Sequence, residues 1–217
     1  MAKQSQASRV SSIELSNHKA LATRKETVAD ATWRVVAAIG FEGATLRAIA
    51  DEAGCTTGVL MHYFRDKEEL FLFSLDRMFE RVDTEFAEAP RQRNPIEALK
   101  KALVGTFPIQ EQSELEGRIW LNFVGRALWN AAFLQEHRRR YARFRSLVEK
   151  TLRVASEAGD IQCRDSFDKE ADTILALLDG IIIHALLEPA RFPASRLRAI
   201  LDLHFSRLAK PKSLNGK

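Results

Sequence analysis

Cysteine, glycine and proline are all scarce in this sequence. Cys55 and Cys163 are the only cysteines among 217 residues, too few and too far apart for a CxxC metal site or a disulfide framework. They indicate a reducing, cytoplasmic environment in which both thiols act as small buried apolar groups. With only 10 glycines and 6 prolines, turns are too few for a β-sandwich or a β-barrel. The composition therefore favours helices.

Long apolar runs are lacking too. Residues 1–17 are rich in Ser and Gln and contain no stretch that could serve as a signal peptide. The most apolar segment, residues 173–187, is interrupted by Asp179, Gly180 and His184 and is too short to cross a bilayer. We predict a cytoplasmic protein without a membrane partner, in which this segment is a buried helix.

Charge gives little information about function. The net charge is +4 and the pI is near 9.2, but residues 1–70 contain nine basic and nine acidic side chains. Bulk electrostatics therefore do not establish a nucleic-acid partner. Catalytic signatures such as HExxH, GxSxG or a Walker loop are absent, as are paired metal ligands. We predict no catalytic residue, metal or cofactor and no enzymatic activity, and keep a helical enzyme only as a rival interpretation.

Helical periodicity dominates what is present. In the first predicted helix, residues 20–40, apolar residues recur at three- and four-residue steps up to a C-cap at Gly40. A second helix begins at the N-cap Thr45 and closes at Gly54, and a third begins at the N-cap Thr56. The apolar positions of the first two helices are Val28, Ala31, Val35, Ala38, Ile39, Leu46, Ile49, Ala50 and Ala53.

The two short helices joined at Gly54 have the dimensions of a helix-turn-helix. The second of them, which extends through Phe64, has a small, polar side and an apolar side. The first side contains Thr57, Gly58, Met61 and His62, and the second contains Val59, Leu60 and Tyr63. Because the first side is poor core material, we predict that it is exposed and free to enter a major groove.

Six further helices are predicted, which makes an all-α fold of about nine helices. The fourth helix starts at the cap Asp66 and precedes a loop over residues 89–93. Its buried stripe is Phe71, Leu75, Met78, Phe79, Val82 and Phe86. The others run from Asn94 to Pro108, Ser113 to Trp129, Ala132 to Ala158, Ser166 to Leu187 and Ser195 to Leu208. The basic run 137–145 is predicted to be a solvated face, opposite a buried stripe of Tyr141, Phe144 and Val148.

A long, gap-free pattern extends over residues 41–70. It consists of FEGATLRAIA at 41–50, AGCTTGVLMHYF at 53–64 and DKEEL at 66–70. This pattern resembles the DNA-binding region of the TetR family of transcriptional regulators, and TGVLMHYFRDK is closer to the BetI-like branch. A weaker similarity around WLNF at 120–123 and around Asp179-Gly180 extends the resemblance over most of residues 20–209.

The resemblance implies a set of DNA contacts. Phosphate contacts are expected from Thr45, Tyr63 and Lys67, and groove contacts from Thr56, Thr57, Gly58 and His62. The predicted DNA-binding set also includes Arg47 and Met61. Many members have Tyr where this chain has Met61, so one phosphate contact is missing and the methionine is free to meet a thymine methyl group.

The resemblance also implies two domains. We expect an arm over residues 1–19, a helix-turn-helix domain over 20–67, a ligand-binding and dimerisation domain over 68–209 and a tail over 210–217. Two interpretations stay open for the N-terminal basic residues, an arm that reaches the minor groove or a disordered tail. These residues are Lys3, Arg9, Lys19, Arg24 and Lys25.

Aromatic residues of the C-terminal helices are candidates for an effector cavity, because such cavities are largely apolar with a few polar groups. The predicted ligand-binding residues are Trp120, Phe123, Arg126, Trp129 and His184. Core packing is the competing interpretation of each of these side chains. If the BetI-like resemblance extends to the ligand, a quaternary ammonium such as choline would need an aromatic cage.

The last two predicted helices are candidates for an isologous four-helix interface in a homodimer, with an intramolecular core as the alternative. Their apolar residues are Ile174, Leu178, Ile181, Ile182, Leu186, Leu197, Ile200, Leu201, Leu203 and Leu208. We prefer the dimer because two half-sites one DNA turn apart need two helix-turn-helices at a fixed separation.

These features together predict a repressor that leaves double-stranded operator DNA when a small-molecule effector binds. Two rival functions stay open. One is a transcriptional activator, and the other is a helical protein-interaction module with a degenerate helix-turn-helix, which the neutral charge of residues 1–70 suggests.

Overall fold

The computed structural model describes the backbone of residues 2–163 and 166–209, and the side chains of 23–76, 78–163 and 166–209. Within these ranges the chain forms nine α-helices and no strand, as the sequence predicts. They are α1 (Ala2–Gly43), α2 (Leu46–Glu52), α3 (Thr57–Tyr63), α4 (Lys67–Glu88), α5 (Pro95–Gly105), α6 (Glu111–Ala127), α7 (Ala131–Glu157), α8 (Phe167–Leu187) and α9 (Ala194–Leu208). They belong to two compact units, Met1–Asp76 and Arg77–Lys217, and α4 continues from one into the other.

The first helix begins earlier than predicted. It starts at Ala2 and not at Ala20, because no glycine or proline precedes Gly40 to end it. The basic side chains of the predicted arm up to residue 22 lie outside the described residues, and so does the tail 210–217. Gly40 has a φ of 75°, which interrupts the regular helix at the predicted position.

A small apolar core holds the helices of the N-terminal unit together. Its buried members are Val28, Ala31, Ile49, Ala50, Leu60, Phe64 and Leu70. Ala38 and Ile39, the last apolar positions of the first predicted helix, are exposed, Ile39 by 56%. They lie in the last turn before Gly40, beyond the α1 residues that pack in the core.

The C-terminal unit follows the predicted order of helices with one difference. The predicted loop over residues 89–93 starts as a short 3-10 helix, Ala89–Arg91, in which Ala89 and Pro90 are buried. The next helix begins as predicted, since the Asn94 side chain accepts a hydrogen bond from the Glu97 N–H at 3.1 Å. Cys55 and Cys163 are half-buried, not fully buried as expected.

Arg140 contradicts the prediction of a fully solvated basic face on α7. Its side chain is only 8% exposed and forms an ion pair with Glu136 at 2.6 Å. Its guanidinium carbon also lies 4.3 Å from the centre of the Phe79 ring. The burial is tolerated because a carboxylate and a ring face replace the water that a guanidinium would otherwise bind.

Helices α8 and α9 use most of their apolar residues within the chain. Six of the ten residues predicted for a dimer interface are already buried in the single chain, in the absence of a second subunit. They are Ile174, Ile181, Ile182, Leu197, Leu201 and Leu208. For these six the intramolecular alternative is correct, because their own C-terminal unit covers them. Leu203 is 57% exposed. No helix among the described residues is long and apolar enough to span a membrane.

Candidate DNA-binding face and effector cavity

The turn between α2 and α3 is built from caps and one glycine. The Thr45 hydroxyl accepts a hydrogen bond from the Ala48 N–H at 3.1 Å, and the Thr56 hydroxyl accepts one from the Val59 N–H at 3.4 Å. Gly54 has a φ of 64°, which glycine adopts without the strain of a side chain. These local interactions fix both helix starts, as the sequence predicts.

The outer side of α3 is exposed over its whole length. We call Thr56, Thr57, Gly58, Met61 and His62 the recognition face, and all five are exposed. Met61 alone exposes 59% of its surface, whereas Leu60, on the other side of the helix, is fully buried in the core. The predicted orientation of the third helix is therefore confirmed.

Gly58 leaves open space at the start of the recognition face. Apart from its chain neighbours and its own helix backbone, the nearest atom to an added Cβ would be the Thr56 hydroxyl oxygen, at 3.7 Å. This is an ordinary van der Waals distance, so the protein itself does not require glycine here. Close approach of a partner such as DNA would require it, because only a bare backbone lets a base or phosphate come within contact distance.

The predicted phosphate-binding residues differ in their accessibility. Thr45 and Arg47 are exposed, while Tyr63 and Lys67 are half-buried. The Lys67 ammonium donates a hydrogen bond to the Phe41 carbonyl at 2.8 Å and lies 4.3 Å from the centre of the Phe41 ring. Because an ammonium group has three donors, these contacts orient Lys67 and leave hydrogens for a phosphate.

A largely apolar cavity lies between four helices of the C-terminal unit. Its volume is about 70 Å³, measured as the space that the centre of a water molecule can occupy. Its lining residues are Met78, Phe79, Val82 and Phe86 of α4, Thr106, Glu116, Gly117 and Trp120 of α6 and the segment before it, Tyr141 and Phe144 of α7, and Leu175, Leu178, Asp179 and Ile182 of α8. The walls are mainly aromatic and aliphatic, with two carboxylates among them.

Asp179 is the polar centre of this cavity. Its carboxylate accepts a hydrogen bond from the Trp120 indole N–H at 3.3 Å and another from the Tyr141 hydroxyl. No lysine or arginine in the described part of the chain forms an ion pair with it. Burial raises the pKa of the Asp179 carboxyl, against the opposing effect of these hydrogen bonds. The cavity therefore contains a carboxylate that has hydrogen bonds but no counter-ion.

Aromatic rings surround this carboxylate on the α6 and α7 side. The Trp120 ring stacks on Tyr141, at 5.6 Å and 9° between ring planes, and on His137, at 5.7 Å and 18°, and the Tyr141 and His137 rings lie 4.4 Å apart at 16°. Burial lowers the pKa of His137, and burial together with the Asp179 charge raises the pKa of Tyr141. At neutral pH these groups are therefore an uncharged imidazole and a neutral phenol that donates to Asp179.

Of the five residues predicted for ligand binding, only Trp120 and Phe123 lie together, with their ring centres 5.5 Å apart. Trp120 lines the cavity, whereas Phe123 is fully buried in the core against Phe133. Trp129 is 87% exposed after the end of α6, and His184 is exposed and stacked on Phe192 at 5.1 Å. Arg126 is half-buried and is not part of the cavity wall. Of the five, only Trp120 is placed where a ligand in this cavity would touch it.

Asp179, Glu116 and Tyr141 are not among the ligand-binding residues that the sequence predicts. A signal for Asp179 was available, because it is a lone carboxylate inside the most apolar segment of the chain. Glu116 and Tyr141 gave no comparable signal, since charged and aromatic residues are common on amphipathic helices. Their meeting in one cavity follows from the packing of α6, α7 and α8.

Two family descriptions match the chain. Residues 28–72 match "Bacterial regulatory proteins, tetR family", and residues 95–210 match "BetI-type transcriptional repressor, C-terminal". The first match contains the whole helix-turn-helix, and the second contains α5 to α9.

Curated relatives and solved structures agree with these descriptions. The chain is 31% identical to the HTH-type transcriptional regulator PksA of Bacillus subtilis, over 83% of this chain and 87% of that protein. It is 27% identical to the regulator BetI of Proteus mirabilis, over 82% and 88%. A transcriptional regulator from Rhodococcus sp. Rha1 has a TM-score of 0.75 at 27% identity, over 85% and 95%.

A regulator from Saccharomonospora viridis, solved in complex with choline, has a TM-score of 0.79 at 21% identity, over 88% of this chain and 100% of that one. At this identity the likeness concerns the fold. The family and the curated relatives are regulators of transcription and not enzymes. The chain therefore belongs to the TetR family of transcriptional regulators.

Proposed function

We propose that the chain is a dimeric repressor that binds operator DNA and is released when a small quaternary ammonium cation enters the cavity. Residues 20–67 would bind DNA, and residues 68–209 would bind the effector and a second subunit. The protein would act in the cytoplasm. The proposal depends above all on one observation, the exposed recognition face of α3. Repression is favoured over activation because the C-terminal match is described as a repressor.

The DNA part of the proposal follows from geometry. A short helix with small residues at its beginning presents backbone N–H groups to phosphates and side chains to base edges. Thr57, Met61 and His62 then face the groove, while Thr45, Arg47 and Lys67 lie close enough along the chain to meet the flanking phosphates. Since only a few basic side chains are available to the phosphates, contacts to base edges and from backbone N–H groups must supply much of the affinity for DNA.

A salt titration tests this part. Duplexes would be selected from a random library by the purified protein, and binding would be followed by fluorescence anisotropy. With two cations per subunit in a dimer, we expect log Kd to rise with log salt with a slope of roughly 4. Failure to enrich any duplex, or binding that salt does not change, would support the interaction-module alternative instead.

The effector part depends on Asp179. A buried carboxylate without a counter-ion costs several kcal/mol, and a cation that enters the cavity offsets this cost. The surrounding rings of Phe79, Trp120, Tyr141 and Phe144 suit a cation with methyl groups, because ring faces attract cations that shed water easily. The volume favours a small ligand, and choline, which binds the similar Saccharomonospora viridis regulator, is the natural probe.

Dimerisation is proposed for the exposed apolar residues of α8 and α9. Ile183 and Leu187, one turn apart on α8, are 37% and 71% exposed, and Leu203 on α9 is 57% exposed. Such side chains gain free energy when a second copy covers them. An isologous pairing of these helices would also hold two recognition faces at a fixed separation.

Leu203→Glu is therefore expected to weaken dimerisation about 100-fold, because the carboxylate would be buried without a partner. Sedimentation velocity over a range of concentrations measures the effect. Ser146→Glu is the matched control, since Ser146 is an exposed residue of α7 and gains the same charge. A Leu203→Glu protein that remains as dimeric as the control would contradict this assignment.

A further inference from the structure

We propose that Arg81 is the internal counter-ion of Glu116 and that the cationic effector takes its place, which couples ligand binding to movement of α4. This inference rests on the proposed function, since it assumes that a cation enters the cavity. It assigns a role to the second carboxylate of the cavity and to an arginine outside the cavity wall.

The starting point is the ion pair between α4 and α6. The Arg81 Nη2 group donates to the Glu116 Oε2 atom at 2.5 Å, and the Gln112 side-chain amide donates to the Glu116 Oε1 atom at 3.2 Å. Glu116 is only 8% exposed and lines the cavity. Glu116 is thus buried and Asp179 half-buried, and of these two carboxylates only Glu116 forms an ion pair with an arginine.

Arg81 also has a second partner. Its Nη1 group donates to the Glu85 Oε1 atom at 3.3 Å, one turn further along α4. Glu85 lines a separate groove, together with Gly105, Lys101 and Arg198. Arg81 therefore connects a carboxylate of the cavity to a carboxylate of the groove, and its side chain is 42% exposed towards solvent.

These contacts allow an exchange of cations. A buried glutamate that loses its partner is strongly destabilising, so Arg81 does not leave Glu116 unless another cation arrives. An effector cation bound between Asp179 and Glu116 supplies that charge, and Arg81 retains Glu85 and water. In the liganded state each of these charges is paired or solvated, whereas in the free state Asp179 lacks a counter-ion.

Through this exchange, ligand binding changes how α4 is held against α6. Arg81 is part of α4, which continues into the unit that contains the helix-turn-helix. Loss of the Arg81–Glu116 pair releases α4 from α6 only in the liganded state. A ligand changes an equilibrium only by its differential affinity for the two states, and this ion pair supplies the difference.

Arg81→Gln tests the exchange, because it removes the competing charge and keeps a side chain of similar polarity. We expect choline to bind about tenfold more tightly than to the wild type, measured by calorimetry. We also expect choline to lose most of its effect on DNA binding. Arg118→Gln is the control, since Arg118 forms a similar pair with Glu114 at 2.9 Å, but on the exposed face of α6.

An unchanged or weaker choline affinity in Arg81→Gln would overturn the inference. If that variant is too unstable, Arg81→Gln/Glu116→Gln removes both charges of the ion pair, and it should bind choline through Asp179 without coupling to DNA. Retained coupling in this double variant would overturn the inference as well. The neutral isostere 3,3-dimethylbutan-1-ol separates the two proposals: a wild type that does not prefer choline to it contradicts the proposed function, not the exchange alone.

Discussion

Thr57→Glu is expected to abolish operator binding while leaving the fold and the dimer intact. Thr57 is exposed on the recognition face, so a longer side chain is accommodated in the free protein. In a complex, the added carboxylate would face the DNA phosphates, and we expect a loss of about 100-fold or more in affinity. Fluorescence anisotropy with a selected duplex measures this loss.

Two further variants make the result specific. Ser146→Glu adds the same charge to α7 and should bind the duplex like the wild type. Gly58→Ala adds one methyl group that the protein tolerates at 3.7 Å from the nearest hydroxyl, yet this methyl would obstruct close approach of DNA. If Thr57→Glu binds the duplex with unchanged affinity, the recognition face does not contact DNA.

Asp179→Asn is expected to weaken choline binding by about 100-fold, because the amide keeps the shape of the carboxylate and removes its charge. The Trp120 and Tyr141 contacts can persist with the amide oxygen and nitrogen. Calorimetry with choline and with 3,3-dimethylbutan-1-ol measures the effect. The variant should bind the neutral compound as the wild type does, and an equal loss for both ligands would indicate a change of shape.

The affinity for choline should also depend on pH through Asp179. Burial raises the pKa of this carboxyl, so it takes up a proton at a pH at which an exposed aspartate is still ionised. Since the cation needs the ionised form, binding in the wild type should weaken as the pH falls through this raised pKa. In Asp179→Asn, this decrease in choline affinity at lower pH should be absent between about pH 4 and pH 8.

The same pKa shift predicts the sign of a stability effect. A carboxyl whose pKa is raised on folding stabilises the native state most at low pH, and this contribution is lost as the pH rises through the folded-state pKa. At a pH above this raised pKa, the ionised Asp179 carboxylate therefore lowers the stability of the free wild type. We expect the thermal midpoint of Asp179→Asn without ligand to be no lower than that of the wild type.

Local sequence signals were sufficient for the DNA-binding part of the molecule. The caps Thr45 and Thr56 and the glycines at 40 and 54 act on their immediate neighbours, so their consequences are readable from spacing alone. The alternation between Leu60 and Met61 follows from the period of the helix, which decides what lies inside and what lies outside. For this reason the sequence alone predicts the recognition face.

The cavity depended on packing between distant segments. Asp179 is separated from Tyr141 by 38 positions and from Trp120 by 59, and no local pattern reports such distances. For the same reason the sequence did not reveal that Trp129 is exposed after the end of α6, or that Phe79 and Glu136 cover Arg140.

The sequence by itself determined the all-α fold, the order of the helices and the outward direction of α3, because each depends on residues within a few turns of one another. Only the tertiary structure decided which apolar residues of α8 and α9 are covered, and which carboxylates meet in the cavity. A helix pattern states which side is apolar, but not which neighbour covers it, since that choice depends on how whole helices pack.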